Sequence, residues 1–220
     1  MSNSNKSYSV LIEGNIASGK STIIKLLKDK LGDDAQVFVE PLNEWTNFCG
    51  ENLLKQMYDN PKENSFLFQT FVQYTMTKIQ FIEVKNKIKI TERSLLSERF
   101  VFMEAIRILE NVSPIQYEVL VAWFNLLNAK IPSVDEVIYL RTSPLVALGR
   151  LRGRNRSEED SVDKEYLQLL HSLHENWLID QSKGQLPFKL TVIDQDRPLK
   201  EIEPELDQIA KRSKSYLPPN

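Results

Sequence analysis

The residues Gly14, Asn15, Ile16, Ala17, Ser18, Gly19, Lys20 and Ser21, followed by Thr22, fit the pattern G-x-x-x-x-G-K-[ST] at every position. The chemistry of that pattern is anion binding. Backbone N–H groups must curve around two phosphates, so Gly14 and Gly19 stand where a side chain would crowd the anion. Lys20 would then reach the β- and γ-phosphates of a nucleoside triphosphate, and Ser21 would offer its hydroxyl to Mg²⁺. Four arginines at alternate positions, Arg150, Arg152, Arg154 and Arg156, repel one another unless an anion is near. By base rate such a run is a solvated helix end. Beside a phosphate loop, however, planar guanidinium groups suit the equatorial oxygens of a transferring phosphoryl group. Segment 150–160 is therefore expected to be a mobile lid with Gly153 as its flexible point, excluding water from a triphosphate. Glu40, Glu92 and Arg93 complete the set. Phosphoryl transfer to an alcohol uses a base at the alcohol and an acidic ligand or water-holder for Mg²⁺, although strand-end glutamates also serve as helix caps or surface residues.

These groups meet only if particular elements carry them. The apolar run Tyr8–Glu13 reads as a strand into the glycine loop, and Ile23, Ile24, Leu26, Leu27 and Leu31 as the helix out of it. Segment 36–41 reads as a second strand stopped by proline, which leaves Glu40 at a strand end, where open α/β sheets bind ligands. Segments 87–92, 134–141 and 188–194 read as further strands, with Glu40 and Glu92 expected to end the two that flank the first. Helical spacing covers 44–58, 65–87, a segment from Arg93-Ser94 through Leu109, and 164–182 and 199–210. Ser113-Pro114 and Ser143-Pro144 open two more helices, each with a serine cap and proline at the first position. This alternation predicts an α/β fold with a five-stranded parallel sheet and helices on both faces, in one domain over 1–220 with residues 1–6 flexible.

Composition narrows the partners. A chain of 220 residues, 41% hydrophobic and 26% charged, is ordinary for a soluble globular protein, and its net charge of −2 argues against a nucleic-acid polymer as partner. Cys49 is the single cysteine, no apolar run reaches membrane-span length, and Met1–Ser7 has no signal-peptide core. A cytoplasmic protein is expected, or a mitochondrial one if a leader has been removed. His171 and His174 lie three apart on one helix, but without further ligand-spaced residues they read as helix-face packing.

Four separated stretches resemble the deoxyribonucleoside kinase family, nearest its insect and mitochondrial thymidine-type branch. They are Leu11–Ser21, Glu40-Pro-Leu-Asn-Glu-Trp45, Thr91-Glu-Arg-Ser-Leu-Leu-Ser-Glu-Arg99, and Tyr139–Pro144 running on into 150–159; Tyr166–Trp177 is also family-like. The resemblance implies a P-loop kinase fold with an arginine-rich lid, ATP as phosphoryl donor with Mg²⁺, and a deoxynucleoside acceptor. It implies that Glu40 takes the 5′-hydroxyl proton, that Arg93 holds Glu40 and the reacting oxygen, and that Glu92 holds Mg²⁺ with Ser21. Gln69 matches the amide that reads the base edge, and Trp45, Phe68 and Phe102 match the aromatic walls of the base slot. Met57, Val72, Met76 and Glu98 fall among the matching nucleoside contacts, and Tyr58 and Glu159 match the pair on the sugar 3′-hydroxyl. A homodimer through the segments after Arg93 and after Asp163 is implied, and feedback inhibition by a deoxynucleoside triphosphate.

One position departs from the family pattern. Thymidine-type members pair the methionine of position 76 with alanine at position 98, and purine-accepting members pair arginine with aspartate; this chain pairs Met76 with Glu98. A carboxylate without its arginine must find another cation, take up a proton or stay wet. The expectation is that thymidine and deoxycytidine are preferred. The rival readings are a nucleoside monophosphate kinase of thymidylate-kinase type, and a non-enzymatic P-loop nucleotide-binding regulator. A GTPase switch would need N-K-x-D, and Asn86-Lys-Ile-Lys89 lacks the aspartate.

Overall fold

The computed structural model describes residues 7–154, 156–180 and 186–216. β1 (Tyr8–Gly14) buries Val10, Leu11 and Ile12, as a strand covered on both faces must. α1 (Lys20–Leu31) leaves the glycine loop and turns Ile23, Ile24, Leu27 and Leu31 onto the sheet. β2 (Ala35–Phe38) is followed by α2 (Leu42–Thr46), α3 (Leu53–Asp59) and α4 (Pro61–Phe81). β3 (Ile88–Glu92) leads into α5 (Leu95–Ser97), a π-helical turn over Glu98–Phe102, and α6 (Met103–Ile108), which run on as one segment. The order closes with α7 (Pro114–Asn128), β4 (Glu136–Arg141), α8 (Pro144–Arg154), α9 (Lys164–Glu175), β5 (Lys189–Asp194) and α10 (Leu199–Ser215).

The five strands pair in parallel in the order β2-β3-β1-β4-β5. Val10 and Ile12 face α1 and α10 on one side of the sheet, while Leu11, Val137 and Tyr139 face Leu151, Leu167 and Leu170 of α8 and α9 on the other. A third cluster, including Trp45, Met57, Phe68, Val72 and Met76, joins α2, α3 and α4 beyond the sheet's edge. Parallel strands bring their C-terminal ends to one side, where the loop after β1, the residues after β3 and the turn after β5 meet.

Several expectations are corrected. β2 pairs with β3 and not with β1, so of the two glutamates only Glu92 ends a strand flanking β1; Glu40 lies two residues past the edge strand. The helix expected over 44–58 is two helices, because Cys49 (φ 54°) and Gly50 (φ 88°) make a left-handed turn between the bridged Phe48 and Glu51. The helix expected over 65–87 begins at Pro61, a favoured first position, and stops at Phe81. There Lys89 Nζ of β3 donates to the carbonyls of Ile79, Gln80 and Ile82 at 2.8, 2.9 and 3.1 Å, satisfying the helix end. Gly153, the expected flexible point of the arginine run, lies in the last turn of α8. Residues 1–6, Asn155 and the end of the helix expected over 164–182 fall outside the described residues.

The segments expected to join two chains largely turn inward: Val101, Ala105, Leu167 and Leu170 are core. The larger exposed apolar stripes are Leu67 and Tyr74 on α4, and Ile115, Val119, Trp123 and Leu126 on α7. Among the described residues no helix is long and apolar enough to cross a membrane.

Candidate active site

The loop after β1 is built around backbone that a side chain would obstruct. Gly14 sits at φ +149°, where a Cβ would lie 2.7 Å from the Leu140 carbonyl oxygen and 2.8 Å from Ser18 Oγ. Gly19, at φ +91°, opens the helix N-terminus. Asn15 ties the loop to α9, its Oδ1 accepting from the Ile16 N–H at 2.8 Å and its Nδ2 donating to the Leu167 carbonyl at 2.9 Å. Lys20 Nζ donates to the Asn15 carbonyl at 3.0 Å, and burial lowers its pKa to about 8. Ile16, Ala17, Ser18, Gly19, Lys20, Ser21 and Thr22 line a cavity of about 630 Å³; Gly14 and Asn15 stand behind its wall.

Arg93 is the hinge of the site's charge. It follows β3 directly in left-handed backbone at φ 58°, a conformation costing a non-glycine residue about 1–3 kcal/mol unless its surroundings fix it. Here they do. Its N–H donates to the Ile12 carbonyl at 3.0 Å and its Nη1 to the Gly14 carbonyl at 2.8 Å, while its Nε pairs with Glu40 Oε1 at 2.6 Å. The guanidinium also lies over the Phe102 ring, 4.7 Å from its centre. The next residue, Ser94, caps α5 and donates from Oγ to Glu13 Oε1 at 2.6 Å. Burial pushes Glu13 up to about 7, partly offset by Ser94 and Arg93. Glu92 is likewise raised, by burial first and by Glu40 second.

The same cavity continues from this junction into a slot lined by Trp45, Met57, Tyr58, Phe68, Gln69, Val72, Met76 and Phe102. Trp45 is held edge-on to Phe68 at 5.7 Å by its Nε1 donating to Thr75 Oγ1 at 2.9 Å. Tyr58 and Glu159 line the cavity too, and burial raises the Tyr58 hydroxyl well above its usual range. The wide π-helical turn carries Glu98 into the slot, 3% exposed. With its amide nitrogen toward the carboxyl, Gln69 Nε2 donates to Glu98 Oε2 at 3.1 Å and also to Oε1. Burial pushes Glu98 up to about 8, which Arg93 only partly counters.

Three of the four arginines in the run reach the cavity. Arg150 donates to the Gln195 carbonyl at 2.7 Å, and Arg154 and Arg156 both pair with the Glu159 carboxylate. Arg152 is the exception. Its guanidinium donates to the carbonyls of Asp160 and Val162 at 3.1 and 3.3 Å, so it braces the turn after α8 and does not line the cavity. Sequence reasoning missed Gln195, Arg197, Leu199 and Ile202, which line the cavity after β5, and Tyr166 of α9. Their position just past a strand's C-terminal end was the available signal for the first group. It also missed Glu13, which lies beneath the junction; a buried acid in an apolar strand was its signal. His174 packs as expected, stacked on Tyr139 with Nδ1 2.7 Å from the Leu170 carbonyl. Among the described residues no three His, Cys, Asp or Glu side chains form a metal cluster.

A model of the deoxynucleoside kinase family matches residues 10–218. The chain is 34% identical over 194 residues to the mitochondrial thymidine kinase 2 of Homo sapiens, covering 88% of this chain and 72% of that protein. It is 30% identical over 238 residues to deoxycytidine kinase 2 of Gallus gallus, covering 94% and 89%. To the deoxycytidine kinase of Homo sapiens it is 31% identical over 198 residues, covering 79% and 76%. The chain belongs to the deoxynucleoside kinase family, and with it to the ATP-dependent phosphotransferases.

The buried acids make a pH prediction. A carboxyl whose folded pKa lies above its unfolded value holds its proton in the native state, so its contribution to stability falls as pH rises toward the folded value. For Glu98, raised from 4.5 to about 8, the loss falls between those values. Between about pH 6 and pH 8.5 the parent should lose roughly 2–3 kcal/mol more unfolding free energy than Glu98→Gln. Urea unfolding at both pH values measures this, and parallel losses would place the Glu98 proton elsewhere.

Proposed function

We propose that this chain transfers the γ-phosphoryl group of ATP to the 5′-hydroxyl of a deoxynucleoside, with pyrimidine deoxynucleosides preferred, as a step in nucleotide salvage. The observation that carries the reading is the Glu40–Arg93 pair, which stands in one cavity between the glycine loop and the aromatic slot. A base belongs where the alcohol of a sugar in the slot would face a phosphate in the loop. In this reading Glu40 accepts the 5′-hydroxyl proton as the oxygen attacks, and Arg93 orients the carboxylate and the oxygen together. Lys20 and the inward-facing Arg150, Arg154 and Arg156 carry the charge spreading over the transferring group. Trp45, Phe68 and Phe102 stack the base and Gln69 reads its edge, while Tyr58 and Glu159 bind the 3′-hydroxyl. Since Glu159 also holds Arg154 and Arg156, sugar binding and placement of those arginines share one carboxylate.

Mg²⁺ fits this donor set. Glu92 is an acid raised by burial and by its neighbour Glu40, a place where a cation relieves repulsion, and Ser21 lines the same cavity. Ser21 and Glu92 would hold the ion, which when bound neutralises charge on the β- and γ-phosphates. A deoxynucleoside triphosphate, with its base in the slot and its phosphates on the loop, would compete with both substrates and act as a feedback inhibitor. Pyrimidine preference is supported by the thymidine and deoxycytidine kinases among the relatives, and by Met76, which lines the slot at the position where the resemblance puts methionine in thymidine-type members.

Two experiments test the proposal. Phosphate transfer from labelled ATP should be fastest to thymidine and deoxycytidine, slower to purine deoxynucleosides and negligible to thymidine monophosphate; a clear lead for a purine or for the monophosphate contradicts it. In that assay Glu40→Gln should lower kcat by roughly 10²–10⁴-fold, and an unchanged kcat removes Glu40 as the base. The resemblance implies a homodimer through the segments after Arg93 and after Asp163; since those segments largely turn inward, we also propose that two copies pair instead through the exposed stripes of α4 and α7. Light scattering should give a dimer, converted to monomer by Trp123→Glu; a monomeric parent refutes the pairing.

A further inference from the structure

Glu98 is a carboxyl that the phosphoryl-transfer chemistry does not use. It is 3% exposed, lines the slot, and touches the amide of Gln69. Its surroundings can be named element by element. Arg93 and Glu40 act on it from the residues after β3 and β2, and Tyr166 faces it from α9. Tyr166 stays neutral, its hydroxyl held above its usual range by burial. From α4 the slot presents the uncharged Phe68, Gln69, Val72 and Met76. On its own helical segment Arg99 and Glu104 are taken up with each other, 2.5 Å apart. Among the described residues the one cation acting on Glu98 is thus Arg93, already committed to Glu40 and the Gly14 carbonyl.

We propose that Glu98 is a base-reading residue whose proton decides which pyrimidine edge the slot accepts: neutral for a 4-keto base, ionised for a 4-amino base. The inference rests on the deoxynucleoside kinase reading and concerns its substrate choice. A neutral carboxyl can donate, as the 4-keto oxygen of thymine requires; an ionised carboxyl only accepts, as the 4-amino group of cytosine requires. Burial pushes Glu98 up to about 8, so both forms are populated within the working range of such an enzyme. Each form also fixes the Gln69 amide differently, since a carboxylate takes the amide nitrogen and an acid can donate to the amide oxygen. Protonation therefore changes two groups of the reading edge together.

The test is the ratio of kcat/KM for deoxycytidine to kcat/KM for thymidine at about pH 6.5 and about pH 8.5. Titrations shared by both substrates, including those of the transfer step, cancel in the ratio. The parent ratio should rise by roughly tenfold with pH. In Glu98→Gln, which keeps shape and hydrogen-bonding capacity but cannot ionise, it should change less than about twofold. A control needing no variant is 2-pyrimidinone deoxyriboside, which lacks the 4-substituent. Its kcat/KM relative to that of each natural substrate should move with pH in opposite directions. A flat parent ratio, or an equal rise in Glu98→Gln, overturns the inference while leaving the kinase reading intact. No transfer to any deoxynucleoside overturns both.

Discussion

A buried guanidinium governs the arrangement of this molecule's charges. Arg93 is 6% exposed, in left-handed backbone, and acts on Glu13, Glu40, Glu92 and Glu98 at once. Burial lowers its pKa, but those acids outweigh burial and hold it above its ordinary value. Removing such a cation would leave several acids facing one another without water, which typically costs about 3–5 kcal/mol. The strained φ of Arg93 persists because three elements fix it: Ile12 and Gly14 of β1 accept its hydrogen bonds, Glu40 pairs with it, and Ser94 begins the next helix. Pre-organised charge of this kind lowers the reorganisation needed when a proton leaves an alcohol beside it.

The fold explains why those groups meet. Parallel pairing sets Ile12 opposite Glu92 and Gly14 opposite Leu140, so the end of β1 lies between the acid that ends β3 and the backbone of β4. The Leu140 carbonyl and Ser18 Oγ leave no space for a Cβ at Gly14, which couples loop shape to strand register. At the other end of the cavity the aromatic slot depends on tertiary contacts of α2 and α4, of which the Trp45–Thr75 hydrogen bond is the clearest. One wall is thus set by the sheet and the other by helices packed beyond its edge.

Much of this was legible in the sequence. The glycine loop, five strands and residues of the slot follow from short-range pattern and family resemblance, because close backbone approach and burial leave local marks at Gly14, Gly19 and Phe68. What escaped was set at longer range. Nothing near Glu40 tells that β2 pairs with β3, since that register is chosen by Ala35 and Val37 against Ile88 and Ile90. Alternate spacing suggested four equivalent arginines, but helical geometry turns Arg152 away from Arg150 and Arg154. The π-helical turn that brings Glu98 to Gln69 inserts a wide turn into a sequence that reads as ordinary helix. The acid at position 98 was visible as a departure; that its neighbour would be an amide and not a cation was not.

The central claim is that an alcohol bound in the aromatic slot is presented to Glu40 at the mouth of the phosphate loop. A crystal structure with thymidine and a non-hydrolysable ATP analogue measures this directly, as the distance from the Glu40 carboxylate to the 5′-oxygen. The account requires hydrogen-bond contact, about 2.6–3.2 Å or one bridging water. A 5′-oxygen turned away from Glu40 and beyond the reach of one water, or a base bound outside the slot, would contradict it.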